Sequence, residues 1–231
     1  SMLSLTSSPF AFAPAMAPAM APSRAMPVMQ TKEELATALN PAIGYFDPLG
    51  LGTADFWSQG NEKTYAFLRH AEIKHGRVAM AAFVGFIVQS NGIHWPFPMT
   101  PTFEYAAATP PEQWDALPFG GKMQIIGFVG FLEWWSEFGG QHYMRGGRPG
   151  DFPDFKDIPL HKIPPLFDPA GLSKNMSPEK KEKRLLMEIN NGRLAQIGIM
   201  GFLAAEKVPG SVPFLDGLVA PYSGDVMAPF L

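Results

Sequence analysis

The sequence predicts an all-α membrane protein with three transmembrane helices, the first and third crossed as a pseudo-two-fold pair, and with long irregular loops. Three features predict it. There are three apolar stretches, two of them preceded by charged runs without proline, and an internal repeat relates the first helix to the third. In addition, 24 Pro and 23 Gly fall largely outside the apolar stretches, more breakers than an ordinary aqueous globule has use for. The rest of the composition narrows the chemistry. With no Cys, disulfides, thiolate metal sites, iron–sulfur clusters and Cys nucleophiles are excluded. The 18 Lys and Arg against 21 Asp and Glu leave no basic excess to attract nucleic acid.

Residues 1–31 carry Ala/Pro/Met repeats, one Arg and no acid, a composition closer to an organelle transit segment than to a packed domain; a poorly trimmed precursor end reads the same way. A three-helix domain is expected over 32–215, followed by a C-terminal tail over 216–231. Its apolar stretches are 78–88 (VAMAAFVGFIV), 125–132 (IIGFVGFL) and 194–205 (LAQIGIMGFLAA), each shorter than the roughly 20 residues that span a bilayer. The charged runs before the first and third extend them, giving helices near 64–90 and 178–207 about 40 Å long, with the middle helix near 119–138. Trp57 and Trp95 flank the first helix and Trp134–Trp135 follow the second apolar stretch, which suits interfacial anchoring, although a soluble core would use the same residues.

The repeat is the sharper signal. Residues 72–86 and 188–202 align at an offset of 116 with seven of fifteen positions identical, among them Glu72/Glu188, Gly76/Gly192 and Arg77/Arg193. Upstream stand Phe46-Asp-Pro-Leu-Gly50 and Phe167-Asp-Pro-Ala-Gly171. Chance similarity of two apolar helices explains neither the matched charges nor the matched turns. Two turn-plus-helix units crossing near a pseudo-two-fold axis follow, with the middle helix to one side.

At about 100° per residue, Arg77 points about 140° away from Glu72 on its own helix, while His75 lies about 60° from it. Crossed helices instead let Glu72 meet Arg193 and Glu188 meet Arg77, two reciprocal pairs where unpaired charge is costly. Gly76 and Gly192 allow close approach of a helix or a flat ring. Each carboxylate then has a second oxygen for a hard cation, and His75 and Asn191 supply neutral donors at matching positions. Single donors spread along helices do not build an ion cage. They suit a magnesium already held in a macrocycle such as chlorophyll, which needs one axial ligand from the protein.

With ExxHGR at 72–77 and ExxNGR at 188–193, the chain resembles the light-harvesting chlorophyll-binding family. Through GKMQIIG at 121–127, Leu132-Glu133 and HYMRGGRPG at 142–150 it is similar to the fucoxanthin or peridinin chlorophyll a/c branch of red-lineage algae. The resemblance covers 46 to about 215. It implies that Glu72, His75, Glu188 and Asn191 bind chlorophyll magnesium, with Gln124 and Glu133 as ligands on the middle helix and Arg77 and Arg193 as structural ion-pair partners. It implies that Asp47 and Asp168, in the two FDPxG loops, help to hold carotenoid ends. The implied cofactors are chlorophyll a, chlorophyll c and carotenoids of the fucoxanthin, peridinin or diadinoxanthin type. The implied setting is the plastid thylakoid membrane, crossed several times, with a photosystem core, neighbouring antenna proteins and thylakoid lipids as partners; the long N-terminal arm favours photosystem I.

The pattern departs from the family at Ala205, where Gln or His is common near the end of the third helix, and Glu206 beside it is no clear substitute. No His follows His161, so the C-terminal histidine ligand of plant-type members is missing too. Bland readings compete elsewhere. His70-Ala-Glu72-Ile-Lys-His75 has its His residues five apart and its Glu misplaced, so it is not the HExxH of zinc hydrolases. Glu137, one turn beyond Glu133, competes for the same role. Arg145, Arg148 and the 180–184 Lys/Arg cluster suit solvent or lipid headgroups. The expected activity is excitation transfer by a non-enzymatic antenna. A photoprotective member of the same family that dissipates excitation, and a pigment-free membrane scaffold, are the alternatives.

Overall fold

The computed structural model describes residues 32–97, 109–155, 168–173 and 175–225. The N-terminal arm at 1–31, Phe167 of the second FDPxG turn and the end of the tail beyond 225 lie outside the described residues. Every regular element among the described residues is helical: α1 (Lys32–Leu39), α2 (Asn61–Ser90), α3 (Pro110–Asp115), α4 (Phe119–Phe138) and α5 (Pro178–Lys207), with short 3-10 turns at Tyr143–Arg145 and Pro213–Leu215.

The three long helices form for local reasons. Ser177 accepts a hydrogen bond from the Lys180 N–H and Pro178 opens α5, whose 30 residues contain no further proline. α2 starts at Asn61, where Gly60 at φ 101 turns the chain and the Asn61 amide bonds the Gly52 carbonyl at 2.6 Å, tying the first FDPxG loop to the helix. α4 begins directly after Pro118 and ends at the Gly139–Gly140 pair, the latter at φ 86.

α2 and α5 pack on each other along their middles, whereas α4 is in extended contact with neither. The small core joins α1 to the crossed pair: Leu39, Ile73 and Ile189 are buried against one another, with Leu35, Leu185 and Leu186 around them. Further along, Phe202 stacks between Phe83 at 5.0 Å and Phe86 at 4.7 Å. α3 is held by a capping box in which Thr109 and Glu112 satisfy each other's backbone N–H groups. It is linked through the Tyr222–Asp115 hydrogen bond to the tail.

By hydropathy alone, none of the described helices is long and apolar enough to cross a membrane. Glu72, Lys74 and Arg77 interrupt α2, Glu188 and Arg193 interrupt α5, and Lys122, Glu133 and Glu137 dilute α4. Yet the apolar surface is turned outward. Phe128, Val129, Trp134 and Phe138 on α4, Val84 on α2 and Ile197 and Met200 on α5 are all exposed. That much uncovered apolar area calls for a non-aqueous covering.

Candidate functional site

The crossing of α2 and α5 is built on glycine. A Cβ on Gly76 would stand 3.0 Å from the Gly192 Cα, and one on Gly192 would stand 2.9 Å from the Gly76 Cα, so backbone rests on backbone. On the two sides of this contact the charges pair across helices. Arg193 Nε lies 2.7 Å from Glu72 Oε1, and Arg77 Nε lies 2.6 Å from Glu188 Oε1. Arg77 also donates through Nη1 to the Gly150 carbonyl at 2.5 Å, fastening the 142–150 loop to the same junction.

The second carboxylate oxygens differ between the halves. Oε2 of Glu188 has no partner among the described residues. Oε2 of Glu72, expected to face outward, instead accepts from Arg69, whose other terminal nitrogen bonds the Tyr65 hydroxyl at 2.8 Å. The outward-offered oxygen therefore exists at Glu188 and is already engaged at Glu72. Three residues separate Arg69 from Glu72, so both fall on one helix face.

His75 is exposed, and its Nδ1 lies 2.7 Å from the Ala71 carbonyl. A carbonyl can only accept, so Nδ1 carries the proton and the Nε2 lone pair faces away from the helix, the tautomer a metal ligand needs. Asn191, at the same repeat position, is exposed, and its side chain has no partner among the described residues. One turn on from each donor stands an exposed aliphatic residue, Val78 and Leu194, each 69% exposed, a flat apolar shelf beside a single polar atom. Among the described residues no three His, Asp or Glu side chains converge to hold a bare ion. This donor set fits a metal whose equatorial positions are already filled, as in chlorophyll, and does not fit an ion cage.

The middle helix is less uniform. Gln124 is exposed with a free amide, and Glu133, nine residues on, faces the opposite side of α4 at about 100° per residue. Glu133 is held by Lys74 Nζ at 2.6 Å, and Lys74 also reaches the Ser136 hydroxyl at 3.0 Å. The rival Glu137 accepts from His142 Nε2 at 2.9 Å and Tyr143 OH at 3.3 Å. Both acids are thus engaged by side chains, and Gln124 is the open donor on this helix.

Asp47 and Asp168 serve their own loops. Asp47 accepts from the Leu51 N–H at 3.0 Å and the Gly52 N–H at 2.7 Å; Asp168 accepts from the Leu172 and Ser173 N–H groups, both at 2.7 Å. Slight desolvation works against the charge on Asp47, but the Gly52 and Leu51 N–H groups prevail and hold its carboxyl below the usual value. Any hold on a carotenoid end would come from the shape these carboxylates impose on the loops. Ala205 and Glu206 are buried, Glu206 only 1% exposed, so neither presents a donor outward.

Two residues here were missed by the sequence reading. Arg69 is one. The other is His70, 5% exposed, stacked on Tyr143 at 4.0 Å and accepting the Gly150 N–H at Nδ1, which makes it an anchor for the 142–150 loop. The repeat could have flagged both, because their counterparts are Leu185 and Leu186.

A family model described as chlorophyll A-B binding protein matches residues 31–207. The chain is 33% identical to the fucoxanthin-chlorophyll a-c binding protein of Trieres chinensis over 221 residues, covering 91% of this chain and 95% of the relative. It is 34% identical to fucoxanthin-chlorophyll a-c binding protein F of Phaeodactylum tricornutum, covering 89% and 93%. Protein D of that type from Macrocystis pyrifera is 32% identical, covering 78% and 90%.

Proposed function

The chain belongs to the chlorophyll a-b binding protein family, and from that premise we propose that it is a non-enzymatic light-harvesting antenna of the plastid. It binds chlorophylls a and c and fucoxanthin-type carotenoids and passes their excitation toward a photosystem core, in company with other antenna proteins. When bound, the pigments supply the absorption. The protein supplies position: His75, Asn191, Gln124 and the free oxygen of Glu188 offer single axial donors, and the Glu–Arg pairs hold the donors' helices at one crossing.

The observation that carries this reading is the repeated junction itself, two touching glycines flanked by reciprocal ion pairs, each with an outward donor and an aliphatic shelf beside it. In this reading α2, α4 and α5 each cross the thylakoid membrane. The 30 residues of α2 and of α5 give about 45 Å of length at about 1.5 Å per residue. Mutual pairing of Glu72, Glu188, Arg77 and Arg193 removes much of the cost that a hydropathy sum assigns to them singly. Glu133 is proposed as a ligand only through the oxygen that Lys74 leaves free. Photosystem I is the proposed core partner, a preference resting on the N-terminal arm alone. Energy dissipation is not favoured, since the relatives are named for chlorophyll and fucoxanthin binding and no described feature is particular to quenching.

Purification in mild detergent, followed by chromatographic extraction and a pigment count per chain, tests the proposal. Chlorophylls a and c with carotenoid are expected, and carotenoid excitation should produce chlorophyll a emission. A colourless protein would overturn it. His75→Leu should lower the chlorophyll count by one with the helical melting temperature little changed; an unaltered count would remove His75 from the ligand set.

A further inference from the structure

The two halves of the repeat neutralise their acids unequally. Among the described residues Glu188 faces one guanidinium, from Arg77, whereas Glu72 is gripped by two, Arg193 on Oε1 and Arg69 on Oε2. The position equivalent to Arg69 in the second half is Leu185, which packs into the small core and carries no donor. Two further facts show that the Arg69 grip is not a saturated arrangement. Its Nε is buried without a hydrogen-bond partner. Its guanidinium also borders a cavity of about 160 Å³ lined by Tyr45, Asp47, Gly52 and Tyr65, with room and acceptors to receive it.

We propose that Arg69 is a positioning residue that competes for Glu72, so that the two acid sites hold their pigments with unequal strength: Glu188 is the open site, and Glu72 is the guarded one. A second guanidinium withdraws electron density from the carboxylate and occupies the lone pair that would face a magnesium. An axial ligand at Glu72 is obtained only when Arg69 yields Oε2, and the cavity beside the first FDPxG loop is where it goes. There it meets Asp47 and Tyr45, so filling of the Glu72 site is coupled to that loop. Among the described residues the Glu188 site has no such competitor.

The proposal rests on the ligand reading above, and the repeat supplies a reciprocal test. The full-length pigmented protein is prepared as wild type, Arg69→Leu and Leu185→Arg, and the loss of chlorophyll on dilution into detergent is followed by absorbance. Glu72→Leu and Glu188→Leu identify the band belonging to each site. Arg69→Leu should slow release from Glu72 about tenfold, and Leu185→Arg should speed release from Glu188 by a similar factor, the scale of one charge-assisted hydrogen bond. Far-UV melting should stay the same in Arg69→Leu, and in Leu185→Arg, which also loses core packing, release from Glu72 should be unaltered; together these separate competition from general loosening. Unchanged release from both sites, or faster release from Glu72 in Arg69→Leu, overturns the proposal. Should Arg69→Leu fail to fold, Arg69→Gln, which keeps a long polar side chain and removes the charge, decides in its place. If neither Glu→Leu variant removes a chlorophyll, the ligand reading falls and this proposal with it.

Discussion

The crossed pair α2–α5 and the outlying helix α4 are joined to the protein by different physics. The pair is in direct backbone contact at Gly76 and Gly192, and two ion pairs close over that contact. α4 is tied to α2 by reaching side chains: Lys74 spans to Glu133 and Ser136, and the loop after α4 docks through His70, Tyr143 and Gly150. Steric contact fixes a geometry without help, while a bridge of flexible side chains leaves a gap that something else must fill. The first region is therefore expected to fold as a unit by itself, and the second to depend on what lies between the helices.

The largest break in this contrast should come from Arg77→Leu, which leaves Glu188 without a partner among the described residues and should cost roughly 3 kcal/mol, read from denaturant unfolding followed by circular dichroism. Arg193→Leu should cost less, because Arg69 still holds Glu72; equal losses would show that Arg69 contributes nothing to neutralisation. Next comes Gly192→Ala, whose methyl would sit 2.9 Å from the Gly76 Cα and push the helices apart at a cost of about 1–3 kcal/mol, again read from unfolding. Lys74→Met should change stability by less than about 1 kcal/mol but broaden the α2–α4 distance distribution measured between spin labels, leaving the α2–α5 distribution narrow. Since the chain has no native Cys, such labels can be placed without background. The smallest effect is expected at Asp47. Its carboxyl is held below its ordinary value of 3.8, so its contribution is complete above that pH and is lost as acid takes the pH through the lower folded value. Asp47→Asn should abolish that acid limb in unfolding followed by circular dichroism.

The sequence made the crossed pair legible because its signals were relational: the repeat aligned Glu with Glu and Arg with Arg, and helix periodicity forbade pairing within one helix. Other features lacked such a partner signal. α3 was announced by Thr-Pro-Pro-Glu at 109–112, a capping box with proline at its start that went unread. α1 is eight residues long and owes its place to Leu35 and Leu39 meeting Ile73 and Ile189, contacts far apart in sequence. Lys74 bridges Glu133 and Glu137, a role that only the position of α4 makes visible. The engagement of Glu72 by Arg69 was half visible, since a substitution between the repeats marked the position, but which oxygen it takes depends on a rotamer. The two loop aspartates are matched by the repeat, but their hydrogen bonds to backbone four and five residues on are decided by turn geometry that composition does not encode.

The donors His75 and Asn191 each immediately precede one of the touching glycines. Whatever plane each donor supports is consequently registered to the one point in the molecule where nothing can be compressed further. Dipolar coupling between two chromophores falls with the cube of their separation, and the transfer rate with its sixth power. Two backbones in van der Waals contact thus act as a gauge block, setting by atomic radii the spacing of the two chains from which these side chains project.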